Sequence, residues 1–184
     1  MKTLVLSAMM CLAAMTSTAQ VITADIVNNS YQSVASSNDG QYAYNVNCDE
    51  NDYITTMYVF KKNVRMNGDV DLKPSCRYQY EYADDGVLLN RTTYVWHNNE
   101  WKCTGRLSYT LTDDLYSVEY SRWNPNTACF DEASEMMTYS LLPDYTAFNV
   151  SWFLRSRRSD SYKLSWQVYV TVHPSFEPNL LAEM

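Results

Sequence analysis

The feature that most constrains this chain is a repeat written in tyrosine and tryptophan. One unit runs from Tyr80 to Trp96 (YEYADDGVLLNRTTYVW), the next from Tyr109 to Trp123 (YTLTDDLYSVEYSRW), and a third from Tyr139 to Trp152 (YSLLPDYTAFNVSW). The opening tyrosines lie 29 and 30 residues apart and the closing tryptophans 27 and 29 apart. Each unit has an acidic turn near its middle, at Asp84-Asp85-Gly86, Asp113-Asp114 and Pro143-Asp144, so each reads as a β-hairpin. A more divergent unit, Tyr44 to Phe60, turns at Asp49-Glu50-Asn51-Asp52 and ends on Phe60 in place of tryptophan. A repeat missed here would misplace every strand after it.

Inside the units, apolar and polar residues alternate with the two-residue period of a strand. Tyr78, Tyr80 and Tyr82 share a face while Arg77, Gln79 and Glu81 point the other way, and Tyr94 and Trp96 point opposite Arg91, Thr93 and Val95. The expectation is one aromatic face and one largely polar face. Tyr116, Val118 and Tyr120 alternate in the same manner, as do Tyr162, Leu164, Trp166, Val168, Val170 and Val172. Short turn signals at Asn67-Gly68-Asp69, Asn98-Asn99, Asn124-Pro125-Asn126 and Arg157 to Ser161 favour antiparallel pairing of neighbours in a meander. Residues 132–138 occupy the repeat position of a strand and are read as one in preference to a helical turn. The total, about eight to ten strands, points to an all-β fold: one large twisted, curled antiparallel sheet, with a β-sandwich as the alternative. Lys61 to Ser75 reads as a long connection, and Pro174 and Pro178 should end the last strand.

The N-terminus carries a different signal. Lys2 precedes an apolar run from Leu4 to Met15, and small residues at Ser17 and Ala19 lead into Gln20, the pattern of a secretory signal peptide cut between Ala19 and Gln20. The run is shorter than the ~20 residues a spanning helix needs, so the chain is not read as an integral membrane protein. The organisation expected is a signal peptide over 1–19, a polar Ser- and Asn-rich arm over 20–41, a β domain over 42–173, and a tail over 174–184. Cleavage leaves 165 residues at net charge -8, and the product is expected to be secreted or periplasmic. With 14 basic against 21 acidic residues, nucleic acid is a poor partner, because phosphate binding needs a basic footprint.

Four cysteines follow the signal segment, Cys48, Cys76, Cys103 and Cys129, an even number that permits disulfides outside the cytoplasm. The last three each sit a few residues before the opening tyrosine of a unit, on alternate strands. Strands two apart in a flat sheet lie roughly 9 to 10 Å from each other, beyond the ~7 Å limit between bridged Cα atoms. Mostly free thiols, or one bridge, are expected.

The residues Tyr80 to Gly86 (YEYADDG), Tyr94-Val95-Trp96, Asn99-Glu100-Trp101, Tyr109, Tyr120 and Arg122-Trp123-Asn124 give the chain a resemblance to small secreted β proteins of gut Bacteroidetes, a family of unknown function. More distantly, the tyrosine, acidic turn and glycine arrangement is similar to the YD repeats of large secreted toxins and adhesion proteins. The resemblance covers residues 76–153, and the later units depart from it: Leu115 stands where a turn glycine is expected, and Pro143-Asp144 replaces the acidic pair. It implies secretion and a β fold, and carries no activity with it.

Chemistry is sparse. His97 and His173 have no companions at metal-ligand or nucleophile spacing, and there is no HExxH, GxSxG or glycine-rich phosphate loop. No cofactor, metal or catalytic residue is assigned. The acid pairs Asp84-Asp85, Asp113-Asp114 and Asp131-Glu132 read first as turn formers. Asn28, Asn90 and Asn149 begin N-x-S/T triplets, and Arg155, Arg157 and Arg158 form a basic island.

The aromatic stripe has the widest functional reach. Tyr80, Tyr109, Tyr139, Trp96, Trp101, Trp123 and Trp152 are the candidate binding residues, since flat rings with polar edges suit sugars or extended protein segments. The simpler reading gives the same rings to the core. The leading expectation is a non-enzymatic envelope-associated module that binds a glycan or an envelope protein. One alternative is a small glycan hydrolase using two turn carboxylates across a cleft, and another is a structural subunit of a surface assembly.

Overall fold

The computed structural model of the chain describes residues 21–36, 40–112, 115–141, 147–156 and 160–171. Among the described residues one helix, α1 (Ala24–Ser36), precedes ten strands: β1 (Tyr42–Cys48), β2 (Ile54–Val64), β3 (Val70–Tyr82), β4 (Leu88–His97), β5 (Glu100–Thr112), β6 (Leu115–Asn124), β7 (Cys129–Phe130), β8 (Glu135–Leu141), β9 (Ala147–Arg155) and β10 (Tyr162–Thr171). They form one open antiparallel sheet in the order β1-β2-β3-β4-β5-β6-β8-β9-β10, with the two-residue β7 paired to β6 alone. The meander is therefore the fold, and the sandwich alternative falls away. Of residues 132–138, the part from Glu135 is strand, the start of β8, while residues 132–134 have no regular structure.

The contacts fall into two units. The larger spans Ile22–Tyr109 and Glu119–Ser134. Its hairpins turn where the sequence places Asp, Asn and Gly. At β1–β2, the Asp49 carboxylate accepts from the amides of Asn51 and Tyr53, both at 2.9 Å. At β3–β4, Gly86 takes φ +81°, a conformation a Cβ disfavours, and Asp85 Oδ1 accepts from the Val87 amide at 3.1 Å. At β4–β5, Asn98 and Asn99 both have positive φ, 52° and 62°, the signature of a two-residue hairpin turn whose twist matches the strands.

Lys61 to Ser75 is not a long connection. β2 runs on to Val64 and β3 begins at Val70, joined by a tight turn in which Gly68 has φ +87° and Arg65 pairs with Asp71 at 2.7 Å. Pro74 disguised the strand: it sits at a β-bulge, opposite Phe60, where the register shifts and a missing N–H is tolerated.

The polar segment 20–41 holds a helix in place of a loose arm. Thr23 accepts from the Val27 amide at 3.1 Å to start α1, and Asp25 adds a favourable negative charge in the first turn. Ala24, Val27, Asn28 and Tyr31 fall at i, i+3, i+4 and i+7, one stripe, with Ala24 and Val27 buried. The stripe is short and interrupted by asparagine, so its composition looked like a linker. Asn28 is the anchor: its Nδ2 donates to the Asp52 carbonyl at 2.9 Å and its Oδ1 accepts from the Ile54 amide at 3.3 Å. Just before the helix, the Ala24 amide donates to Gly86 O at 2.9 Å and Leu88 N donates to Ile22 O at 2.8 Å, so the entry to α1 adds a rung beside the β3–β4 turn. Ile22, Ala24, Val27, Ile54 and Leu88 form this end of the core. Leu88, 2% exposed, contributes about 2 kcal/mol by its burial alone.

The other unit contains Thr110–Val118 and the described residues from Glu135 onward. Tyr116, Val118, Met137, Tyr139 and Val150 are buried in it, with the Tyr116 and Tyr139 rings 6.1 Å apart. Trp152 of β9 lies opposite Trp166 of β10, ring centres 6.0 Å apart.

Candidate functional site

Strand register decides which side chains meet. Tyr78 pairs with Thr93, Tyr80 with Arg91 and Arg77 with Tyr94. Residues directly opposite on antiparallel strands project to the same side. The even-numbered tyrosines of β3 therefore share a face with the odd-numbered residues of β4, and Tyr94 and Trp96 lie on the other face with Arg77. The single aromatic face expected from the sequence is corrected here: the larger unit carries aromatic rings on both faces, because hairpin register, which alternation within one strand does not reveal, sets the parity between strands.

The first face is core. Tyr80 and Tyr82 stack with ring centres 6.4 Å apart, and Tyr82 meets Tyr53 at 5.6 Å while donating to Ile54 O at 2.9 Å. Burial pushes the Tyr82 phenol well above its ordinary value, with Tyr80 and Asp49 adding to the shift. Gly105 belongs to this side because the Tyr120 ring occupies the place a side chain would take: a Cβ there would stand 2.6 Å from Tyr120 Cε2.

The second face holds the candidate site. The Asn98-Asn99 turn sets Trp96 directly opposite Trp101, with ring centres 5.0 Å apart at 67°. Tyr58 reaches Trp101 at 6.1 Å and Phe60 at 6.5 Å. In a flat sheet β2 and β5 lie roughly 14 Å apart, so the Tyr58 and Trp101 rings lean toward each other across β3 and β4 to meet. Arg77 of β3 lies between β2 and β5, its guanidinium carbon 4.0 Å above the Tyr94 ring and 5.6 Å from that of Trp101. Farther along β5, Arg106 lies 4.4 Å over the Phe130 ring, which packs edge-on against Trp123 at 5.0 Å. Cys103 stands between the two arginines: burial raises its thiol pKa, while the Gly105 amide and the Arg77 and Arg106 charges pull it back down. Tyr58, Phe60, Arg77, Tyr94, Trp96, Trp101 and Arg106 are all half-buried, partly open to solvent.

Of the seven residues singled out by the repeat, Trp96 and Trp101 come together here, and Trp123 extends the same face. Tyr80 faces the core side, Tyr109 and Tyr139 are buried, and Trp152 belongs to the other unit. Sequence reasoning missed Tyr58, Tyr94, Arg77 and Arg106. The signal that was present is the two-residue Asn98-Asn99 turn, which fixes Trp96 opposite Trp101 and from there the parity of the neighbouring strands.

Other sequence candidates have structural employment. The four described cysteines are free thiols. Cys76 pairs with Val95 and Cys103 with Tyr94, so these two project from opposite faces and are not placed to bridge. Asp85 closes its turn, and Asp131 accepts from Asn124 at 3.1 Å. All three glycosylation-type asparagines use their amides internally: Asn90 donates to Glu81 and accepts from Ser108, both at 2.9 Å, and Asn149 accepts from Gln167 at 2.6 Å. Arg155 pairs with Asp160 at 2.6 Å. Among the described residues no three His, Cys, Asp or Glu side chains converge as a metal site. His97 is exposed beside the β4–β5 turn. Ala19, Gln20, Asp113-Asp114, Pro143-Asp144, Arg157, Arg158 and His173 lie outside the described residues.

Comparison with solved structures finds the same architecture in a protein of unknown function from Bacteroides fragilis, at 22% identity and a TM-score of 0.58, covering 76% of this chain and 98% of that one. Two proteins of the DUF3836 family also match, one from Parabacteroides distasonis at 22% identity and a TM-score of 0.45, covering 54% of this chain and 89% of that one. The other, from Bacteroides vulgatus, is at 20% identity and 0.43, covering 49% and 88%. The sequence has no match among curated proteins. The model of the family of unknown function DUF3836 matches residues 20–141, and the chain belongs to that family.

Proposed function

We propose that this family member is a non-enzymatic binding module that works outside the cytoplasm, secreted or periplasmic, and holds a glycan or an envelope protein against the Tyr58–Trp96–Trp101 face. The observation that carries the reading is the ring cluster itself: Tyr58 of β2 lies 6.1 Å from Trp101 of β5, across the two intervening strands, and both residues stay partly open. Such a surface offers apolar ring faces beside polar edges, the combination that sugar rings stack on. Export is supported by the charged, apolar and small-residue order of residues 1–19. The test is a polysaccharide panel read by affinity electrophoresis with wild type, Trp101→Ala and Trp96→Ala. Retardation of wild type by at least one glycan, lost in both variants at unchanged melting temperature, is the expected result. Equal migration of wild type and variants on every glycan would sink the glycan reading.

A second reading, a subunit of a surface assembly, draws support from β10. It ends the strand order and leaves Leu164, Val168, Tyr169 and Val170 exposed, the dress of a strand that can accept another.

A further inference from the structure

Two arginines on the candidate face lack the partners a buried cation normally has. Arg77 and Arg106 are half-buried, and the Nε of each is shut from solvent without a hydrogen-bond partner. Among the described residues neither guanidinium forms an ion pair, whereas the exposed Arg65 and the half-buried Arg155 both do. This happens on a chain with 21 acidic against 14 basic residues, in which a carboxylate neighbour is easily supplied. An unpartnered buried donor costs about 1 to 3 kcal/mol, and native structures keep few of them without reason. The ring contacts under each guanidinium return only part of that, about 0.5 to 2 kcal/mol. Arg77 lies opposite Tyr94, which lies opposite Cys103, three residues before Arg106 on β5, so the two charges fall on one stretch of the face.

We propose that this face binds an acidic polysaccharide, one built of uronate sugars, with the carboxylates on the outer nitrogens of Arg77 and Arg106 and the sugar rings on Trp101, Trp96 and Tyr58. The proposal rests on the binding reading above and specifies its ligand class. Charge complementarity selects an anion, since a planar guanidinium fork matches a carboxylate with two parallel hydrogen bonds. The rings select a sugar over a simple acid, because Trp101 lies 5.6 Å from the Arg77 guanidinium and is itself flanked by Trp96 and Tyr58. A uronate presents both groups on one unit.

The test is affinity electrophoresis and titration calorimetry with polygalacturonate, a neutral polysaccharide panel and poly-glutamate, using wild type, Arg77→Met, Arg106→Met, Arg77→Lys and Trp101→Ala. We expect wild type to bind polygalacturonate at least tenfold more tightly than any neutral glycan, with affinity falling as salt rises. Arg77→Met and Arg106→Met should each lose at least tenfold, and Arg77→Lys, which keeps charge without the fork, should lie between. Melting temperatures are read alongside to separate loss of binding from loss of fold in the methionine variants, and the salt dependence of wild type stands without any variant. Neutral glycans bound as tightly as polygalacturonate, and as well by the arginine variants, would overturn this inference and leave the binding reading intact. Poly-glutamate bound as tightly as polygalacturonate would overturn the sugar assignment. Failure of every polysaccharide would overturn both.

Discussion

At the scale of single residues, burial sets the behaviour of Tyr82. Its phenol is held well above the ordinary value of 10.0, chiefly by desolvation. A folded value above the unfolded one means the contribution to stability is complete below pH 10 and is lost as pH rises beyond it. The melting temperature should therefore hold steady through neutral pH and fall steeply on the alkaline side. Tyr82→Phe removes the hydrogen bond to Ile54 O, costing about 1 kcal/mol near pH 7. It should also flatten the alkaline decline, so that the two proteins converge above pH 11 in thermal melts. Parallel curves for the two would show that another group governs the alkaline limb. Residues were also where the sequence was hardest to read. Arg77 looked like the polar side of a strand, and only the pairing Arg77–Tyr94 shows it capping an aromatic ring.

At the scale of elements, strands and turns were legible because alternation and Asp, Asn and Gly at the turns are local signals; β3–β4, with Gly86 at positive φ, is the clearest case. What stayed hidden depends on relations between elements. The bulge opposite Phe60 made Pro74 look like loop, and α1 looked like linker because its stripe gains meaning only against Ile54 and Leu88. The sides of β5 likewise depend on β6. Gly105 leaves room for Tyr120, and an added methyl would also come within 2.9 Å of the backbone oxygen of Ser121. Backbone does not yield as a flexible side chain does, so Gly105→Ala should destabilise by about 2 kcal/mol, a drop of about 4 to 8 °C in Tm for a chain of this size. An unchanged Tm would mean that β5 and β6 can move apart at no cost.

At the scale of the whole molecule, an open sheet has ends, and the two are unlike. β1 presents the polar Asn45, Asn47 and Cys48 as its exposed positions, while β10 exposes Leu164, Val168, Tyr169 and Val170. Apolar edge strands invite pairing with other chains. Sedimentation should show concentration-dependent self-association that Val168→Lys and Val170→Lys together suppress, with no loss of secondary structure. A wild type that stays monomeric at high concentration would remove the support for the assembly reading. The candidate face lies in the larger unit, so these edge variants should leave any glycan binding untouched.

With β7 set aside, the order of strands across the sheet is the order of strands along the chain. A polypeptide emerging N-terminus first from a ribosome or a translocation channel thus meets, at each new strand, a template that has already appeared. No strand has to wait for a distant sequence to arrive, and the growing sheet has one advancing margin at any moment. Because the last strand among the described residues is also the more apolar of the two edges, the surface most prone to stray pairing emerges after every other described strand.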